Sequence, residues 1–286
     1  MLWRLLPPLV CHTLGLRGYG ALALPWLGVV AATAYVALIH NRRCPHPWFV
    51  LGGTLLFATT SAVLVPVGWL GMNDAWCWLG LLVFAFGESP FARVTAVFLC
   101  PWVDERFIIG LPLALLVRWA ERGPSFQFRE SIAAFAWLPY AALRLALSFA
   151  ADSGGRAQSF VHEGLKTAVV LVPWAPLAWW MGLRAAWAPA AYAMARRPPW
   201  LGLVAAATLI VCLLFASDMS RSAATLTPLT TLGGILFLRR HPEMAPRALL
   251  TAGIANLLIP AAHLTYIKFV PINNLLIELL RLRHTP

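Results

Sequence analysis

The sequence predicts an all-α fold, a single bundle of about eight membrane-crossing helices with one re-entrant hairpin. Three observations predict it. Only 12% of the 286 residues are charged and 60% are hydrophobic, whereas an ordinary soluble domain is about a quarter charged. Mean hydropathy is +0.73. Apolar runs of about twenty residues alternate with short connections that carry arginine, the pattern that orients multi-span membrane proteins. One domain, residues 1–286, accommodates all of this, with residues 1–20 as an interfacial segment and 268–286 as an amphipathic end.

The opening MLWRLLPPLVCHTLGL carries paired prolines and no small-residue cleavage pattern, so it reads as a retained interfacial segment. Ala21 to Ile39 is the first span, and the loop with Arg42 and Arg43 marks the cytoplasmic face. Trp48 to Leu70 returns outward. Further spans are expected at 103–119, 132–151, 167–187, 199–216, 223–238 and 248–266, with Arg184, Arg196 and Arg197 marking the cytoplasm. Pro-Trp recurs at 25–26, 47–48, 101–102, 173–174 and 199–200. Proline suits a first helical turn and tryptophan the headgroup boundary, so the pair reads as structural punctuation.

Residues 75–100 are long enough to cross but are interrupted by Gly87, Glu88, Ser89, Pro90 and Arg93. Two readings are open: a hairpin that turns back, or one kinked span with Glu88 paired to Arg93. Arg118, Arg122 and Arg129 should share the face of Arg42, which requires an even number of crossings between them. The hairpin gives that parity. It also places Glu88 and Arg93 deep in the apolar phase, where ionisable groups are costly and are functional candidates by default.

The net charge of +11 comes from arginines between apolar runs, which fits topogenic charge and anionic lipid better than nucleic acid. The five cysteines show no metal-ligand spacing and read as buried thiols. No metal or cofactor is implied. On the expected topology, Asp74, Asp104, Asp152 and Asp218 all lie on the outer side, with Glu105, Arg106, Arg156, His162, Glu163, Lys166 and Arg221. Short external loops needing polar residues would explain part of this. Acidic groups contribute little to topology, so orientation alone does not.

Within SDMSRS, Asp218 and Arg221 stand at i and i+3, where they can pair on one helical face. Asp104 and Glu105 beside Arg106 repeat the theme. Asp104 and Asp218 are the candidate catalytic residues, since a carboxylate can take a proton from an incoming hydroxyl. Glu105, Arg106, Arg144 and Arg221, with Glu88 and Arg93, are candidate substrate-binding residues, arginine suiting phosphate. His263 stands alone in an expected span and reads as a packing residue.

This layout resembles polytopic glycosyltransferases and O-antigen polymerases that work from a lipid-linked sugar, in arrangement rather than in any shared motif. The resemblance implies transfer or polymerisation of sugars from a polyprenyl-phosphate-linked donor at an outward-facing site of a bacterial inner membrane. Membrane lipids and a lipid-linked glycan would be its partners. A transporter or flippase with a pathway lined around Glu88, and a non-catalytic scaffold, are the alternatives. Convergence of Asp104, Arg106, Asp218 and Arg221 on one pocket favours the enzyme, and a mid-depth cavity at Glu88 and Arg93 favours transport.

Overall fold

The computed structural model describes residues 4–68, 72–150, 164–215, 218–259, 261–265 and 268–271. The loop with Asp152, Arg156, His162 and Glu163, and the end from 272 to 286, lie outside them. The chain is predominantly helical. Proline sets several starts: Pro47 and Pro199 are the first residues of α3 (Pro47–Ala58) and α13 (Pro199–Phe215). Proline is tolerated there because the first helical N–H groups lack intrahelical partners in any case.

α1 (Leu6–Thr13) and α2 (Ala23–Arg43) open the chain. α3 is followed by α4 (Ser61–Gly68), bent from it by 52°. At the bend Thr59 and Thr60 donate hydroxyl hydrogen bonds to backbone carbonyls of the preceding turn, a local alternative to the helical ladder. α5 (Asp74–Phe86) and α6 (Pro90–Leu99) form an antiparallel hairpin. α5 ends where Gly87 turns extended (φ −68°, ψ 136°); Pro90 keeps Ser89 extended as well (φ −69°, ψ 120°), and the Ser89 hydroxyl accepts from Ala92 N and caps α6. Residues 75–100 thus turn back as two helices rather than forming one kinked helix, but the tip lies beside Arg43 and Arg122 and not at the middle of the bundle as a re-entrant hairpin would place it.

α7 (Arg106–Arg122) leads to α8 (Arg129–Ile132) and α9 (Leu138–Ala150). Residues 164–171 form α10, followed by α11 (Ala175–Leu183) and α12 (Trp187–Arg196). α14 (Met219–Ser222), α15 (Thr227–Arg240) and α16 (Ala245–Leu258) follow α13. A β-hairpin closes the described chain: β1 (Ala262–Thr265) pairs antiparallel with β2 (Lys268–Pro271), His263 opposite Val270.

Three expectations are corrected here. Among the described residues, two helices are long and apolar enough to cross a bilayer, Gly18–Arg43 and Gly164–Arg196, or three if the bent α3–α4 pair is one span, not about eight. The remaining apolar runs are cut short: 132–151 is broken by a 3₁₀ turn at Ala133–Phe135, and α15 and α16 have 14 residues each. The run expected as a last span, 248–266, ends as helix at Leu258 and continues as strand. Arg184 is not a surface marker. It is buried with a positive φ of 50°, and its guanidinium donates to Asn256 O and Ile259 O at 2.8 Å each, capping the end of α16.

A membrane association follows from the two long apolar helices and from the lateral surface, where Leu27, Val30, Val169, Leu203 and Leu258 are more than half exposed. Inside, Trp78, Phe84, Phe107 and Leu113 fill the main core. Close approach of helices depends on glycine. A Cβ on Gly52 of α3 would lie 2.6 Å from the Leu250 nitrogen of α16, and one on Gly233 of α15 would collide with the Pro189 carbonyl of α12. Gly52→Ala and Gly233→Ala should each destabilise the protein by about 1–3 kcal/mol. Thermal unfolding followed by tryptophan fluorescence reads this, and Gly20→Ala, whose Cβ would meet nothing closer than 3.9 Å, should change little.

Candidate functional site

Two charge networks occupy opposite ends of α7, a helix about 25 Å long at 1.5 Å per residue. At its start, Asp104 accepts from the Arg106 backbone N–H and from Nε, both at 2.9 Å, and from Nη2 at 2.7 Å. The local sequence D-E-R makes this a turn closed on itself. The same Nη2 reaches Asp74 Oδ1, at the first residue of α5, at 3.1 Å. Asp74 in turn accepts from Arg221 Nε at 2.6 Å and Nη2 at 2.7 Å, a bidentate pair, and Arg221 Nη1 donates to Asp218 at 3.0 Å. Arg4, its side chain half exposed, donates to Asp104 at 2.7 Å.

Behind Asp218 the chain continues. His263 Nε2 lies 3.1 Å from Asp218 Oδ2, and His263 Nδ1 lies 2.8 Å from Ser220 Oγ. Ser220 Oγ also accepts from Leu264 N at 3.1 Å, which fixes β1 against α14. Asp218 caps α14 by accepting from Arg221 N at 3.2 Å. Three carboxylates and three guanidinium groups therefore balance within one cluster. Asp74, Asp104 and Asp218 are 2%, 1% and 7% exposed, whereas the Arg4 side chain is 46% exposed.

The four residues singled out in the sequence, Asp104, Arg106, Asp218 and Arg221, thus meet in one network, with Asp74 as the bridge. Glu105 and Arg144 form a separate ion pair with each other, and Tyr140 Oη donates to Glu105 at 3.3 Å. Glu88 and Arg93 are elsewhere. The expected mid-depth position is corrected: the hairpin tip reaches the far end of the bundle, where Glu88, 55% exposed, pairs with Arg43 and Arg122. Nor is there a Glu88–Arg93 side-chain pair. Arg93 Nη1 donates to the Gly87 and Glu88 carbonyls at 3.0 and 3.1 Å, and Arg118 Nη1 donates to Gly87 O at 2.8 Å. Sequence reasoning missed His263 and Ser220 as members of the site. Pro260, a residue that ends helical runs, was the signal that the helix does not continue into 261–265.

Among the described residues no cluster of His, Cys, Asp or Glu could hold a metal ion, and the cysteines there are free thiols. Burial pushes the Asp104 carboxyl up, but the charge and hydrogen bonds of Arg106, helped by Arg4, outweigh burial and hold it below the usual carboxylate range. Chemically, such an arrangement can clamp an anion with guanidinium groups and offer a carboxylate as proton acceptor. No protein-family model, curated protein or solved structure matches this chain. The functional reading therefore rests on the geometry.

Two outcomes follow. A carboxyl whose folded pKa is depressed contributes stability above its unfolded value, near 4, and that contribution is lost as pH falls through the folded value. Melting temperature should fall as pH drops below about 4, and Asp104→Asn should flatten part of that acid limb. Arg221→Met, which leaves Asp74 and Asp218 buried without their shared partner, should cost about 3–5 kcal/mol, read as a lowered melting temperature at neutral pH.

Proposed function

We propose that this is a multi-pass protein of a bacterial inner membrane that acts on a lipid-linked, phosphate-bearing sugar, transferring or polymerising it at the end of the bundle where Asp104 and Asp218 lie. The observation that carries the reading is the meeting of Asp104, Arg106, Asp218 and Arg221 in one network through Asp74. Isolated loop charges needing only solvent would have no reason to converge from three separate parts of the chain.

In this reaction an acceptor hydroxyl oxygen forms a bond to the anomeric carbon of the donor, and the bond from that carbon to the phosphate oxygen breaks. The hydroxyl proton passes to Asp104 or Asp218, and the phosphate leaves with the bonding electron pair. Arg106 and Arg221 neutralise the charge that grows on the leaving group. His263, between Ser220 and Asp218, holds that carboxylate in place from the buried side. A transport pathway loses its support, because Glu88 and Arg93 stand at the end of the bundle and not at mid-depth.

A strain lacking the protein, complemented with Asp104→Asn or Asp218→Asn, is the test. Mass spectrometry of its lipids and glycans should show the lipid-linked donor accumulating, with product formation reduced by about 100-fold or more at equal protein level. Full rescue by both variants would make the network a purely structural knot and reject the proposal.

A further inference from the structure

Four arginines line a pocket of about 340 Å³ where α12 and α15 end, Arg196 and Arg197 from one side and Arg239 and Arg240 from the other, with Tyr192 and Leu236. The two pairs meet because the helices pack closely: Gly233 lies against the Pro189 carbonyl, and Tyr192 stands edge-on to Phe237 with ring centroids 5.2 Å apart. The Arg196 guanidinium lies 5.5 Å from the Tyr192 ring. Both helices long enough to cross a bilayer end here. Gly164–Arg196 ends in the pocket itself, and Gly18–Arg43 ends beside it, since Arg43 and Arg239 share Glu121 at 3.2 and 3.5 Å. Among the described residues Glu121 is the one carboxylate that pairs with any of the four arginines. Nor do these four fill carbonyls at helix ends as Arg93, Arg118 and Arg184 do, and Arg197 keeps its Nε buried without a hydrogen-bond partner. Orientation signals explain arginine near a membrane face, but not four drawn into one pocket around one shared carboxylate.

We propose that this pocket binds the headgroup of a diphosphatidyl lipid, two phosphodiesters joined by a glycerol, with Arg196 and Arg197 on one phosphate and Arg239 and Arg240 on the other. The inference rests on the membrane association and not on the transfer reaction. A guanidinium matches phosphate oxygens through paired, charge-assisted hydrogen bonds, and basic pockets between membrane helices suit such headgroups. Two arginine pairs on two helices call for two phosphates. A lipid with one phosphate would neutralise one pair and leave the other exposed to its own repulsion. Tyr192 and Leu236 stand one turn back along their helices from the arginines, on the bilayer side of the headgroup where acyl chains begin. That placement favours a lipid over a soluble phosphate. Once bound, the lipid ties the end of α12 to the end of α15.

The test is native mass spectrometry of the full-length protein in phosphatidylcholine nanodiscs, titrated with cardiolipin, with phosphatidylglycerol and with inorganic pyrophosphate. Cardiolipin should bind one to one, and about tenfold more tightly than phosphatidylglycerol. Arg240→Ala and, independently, Arg197→Ala should each weaken cardiolipin about tenfold, and Arg240→Lys should retain part of the affinity. Arg247→Ala removes an exposed positive charge from the start of α16, outside the pocket, and should leave binding unchanged. Each variant should melt within a few degrees of the parent in phosphatidylcholine alone, which separates lost binding from lost fold. Equal affinity for phosphatidylglycerol, or unchanged binding in both Arg240→Ala and Arg197→Ala, would overturn the proposal. An equal loss in Arg247→Ala would also overturn it, by reducing the effect to diffuse surface charge. So would displacement of cardiolipin by an equal concentration of pyrophosphate, which would make the pocket a site for a soluble anion. Asp104→Asn and Asp218→Asn, at the other end of α7, should bind cardiolipin as the parent does, so failure of the transfer reading and failure of this one are told apart.

Discussion

Arg106 lies between two carboxylates, Asp74 and Asp104, and the arrangement of that end of the bundle follows from keeping it neutralised. A buried guanidinium without partners is costly, and so is a buried carboxylate. Asp74 can balance Arg106 only if α5 begins beside α7. Arg221 can share Asp74 only if α14 is drawn to the same place. The network thereby fixes the relative position of three elements that apolar packing alone would allow to slide. Any anion binding there would have to trade partners with groups already bonded, and Arg4, its side chain 46% exposed, is the most accessible of them.

Elsewhere arginine solves a different problem. Helix ends leave carbonyls without intrahelical donors, and in an apolar surrounding no water replaces them. Arg118 and Arg93 fill the carbonyls at the end of α5, and Arg184 fills those at the end of α16. Asn256 completes the second cap from its own helix: its Oδ1 accepts from Ala185 N at 2.8 Å across the break between α11 and α12. The positive φ of Arg184 is tolerated because both its side chain and the following N–H are anchored in this way. Part of the +11 net charge is thus internal scaffolding and not a signal to lipid.

Local features were the legible ones. Asp218 and Arg221 stand three residues apart, and Asp104 and Arg106 two apart, so their pairing is a matter of helix and turn geometry. The Gly87–Pro90 interruption announced a reversal, because proline excludes its predecessor from the helix. Asp74 meeting Arg221 across 147 residues, and His263 meeting Ser220 across 43, were not legible. Such contacts depend on how helices stack, and uniformly apolar runs carry little periodicity with which to fix rotation about their axes. The same uniformity hid the breaks: a run such as 248–266 is apolar throughout, yet its second part pairs as a strand. Glu88 was misplaced in depth because hydropathy gives the length of α5 but not the level at which it starts.

The two ends of α7 are bound in physically different ways. Asp104 and Asp74 are enclosed with Arg106 and Arg221, only Arg4 reaching them from the exposed surface, whereas Glu88 with Arg43 and Arg122 meets its partners at an open surface. Mobile ions screen surface charges over about 8–10 Å at physiological strength and affect enclosed ones far less. Raising the salt concentration should therefore weaken the Glu88 pairs, while the Gly87 carbonyl stays held by buried Arg93 and Arg118 and the base of the hairpin stays fixed. The molecule carries one clasp that its surroundings can adjust and one that they cannot.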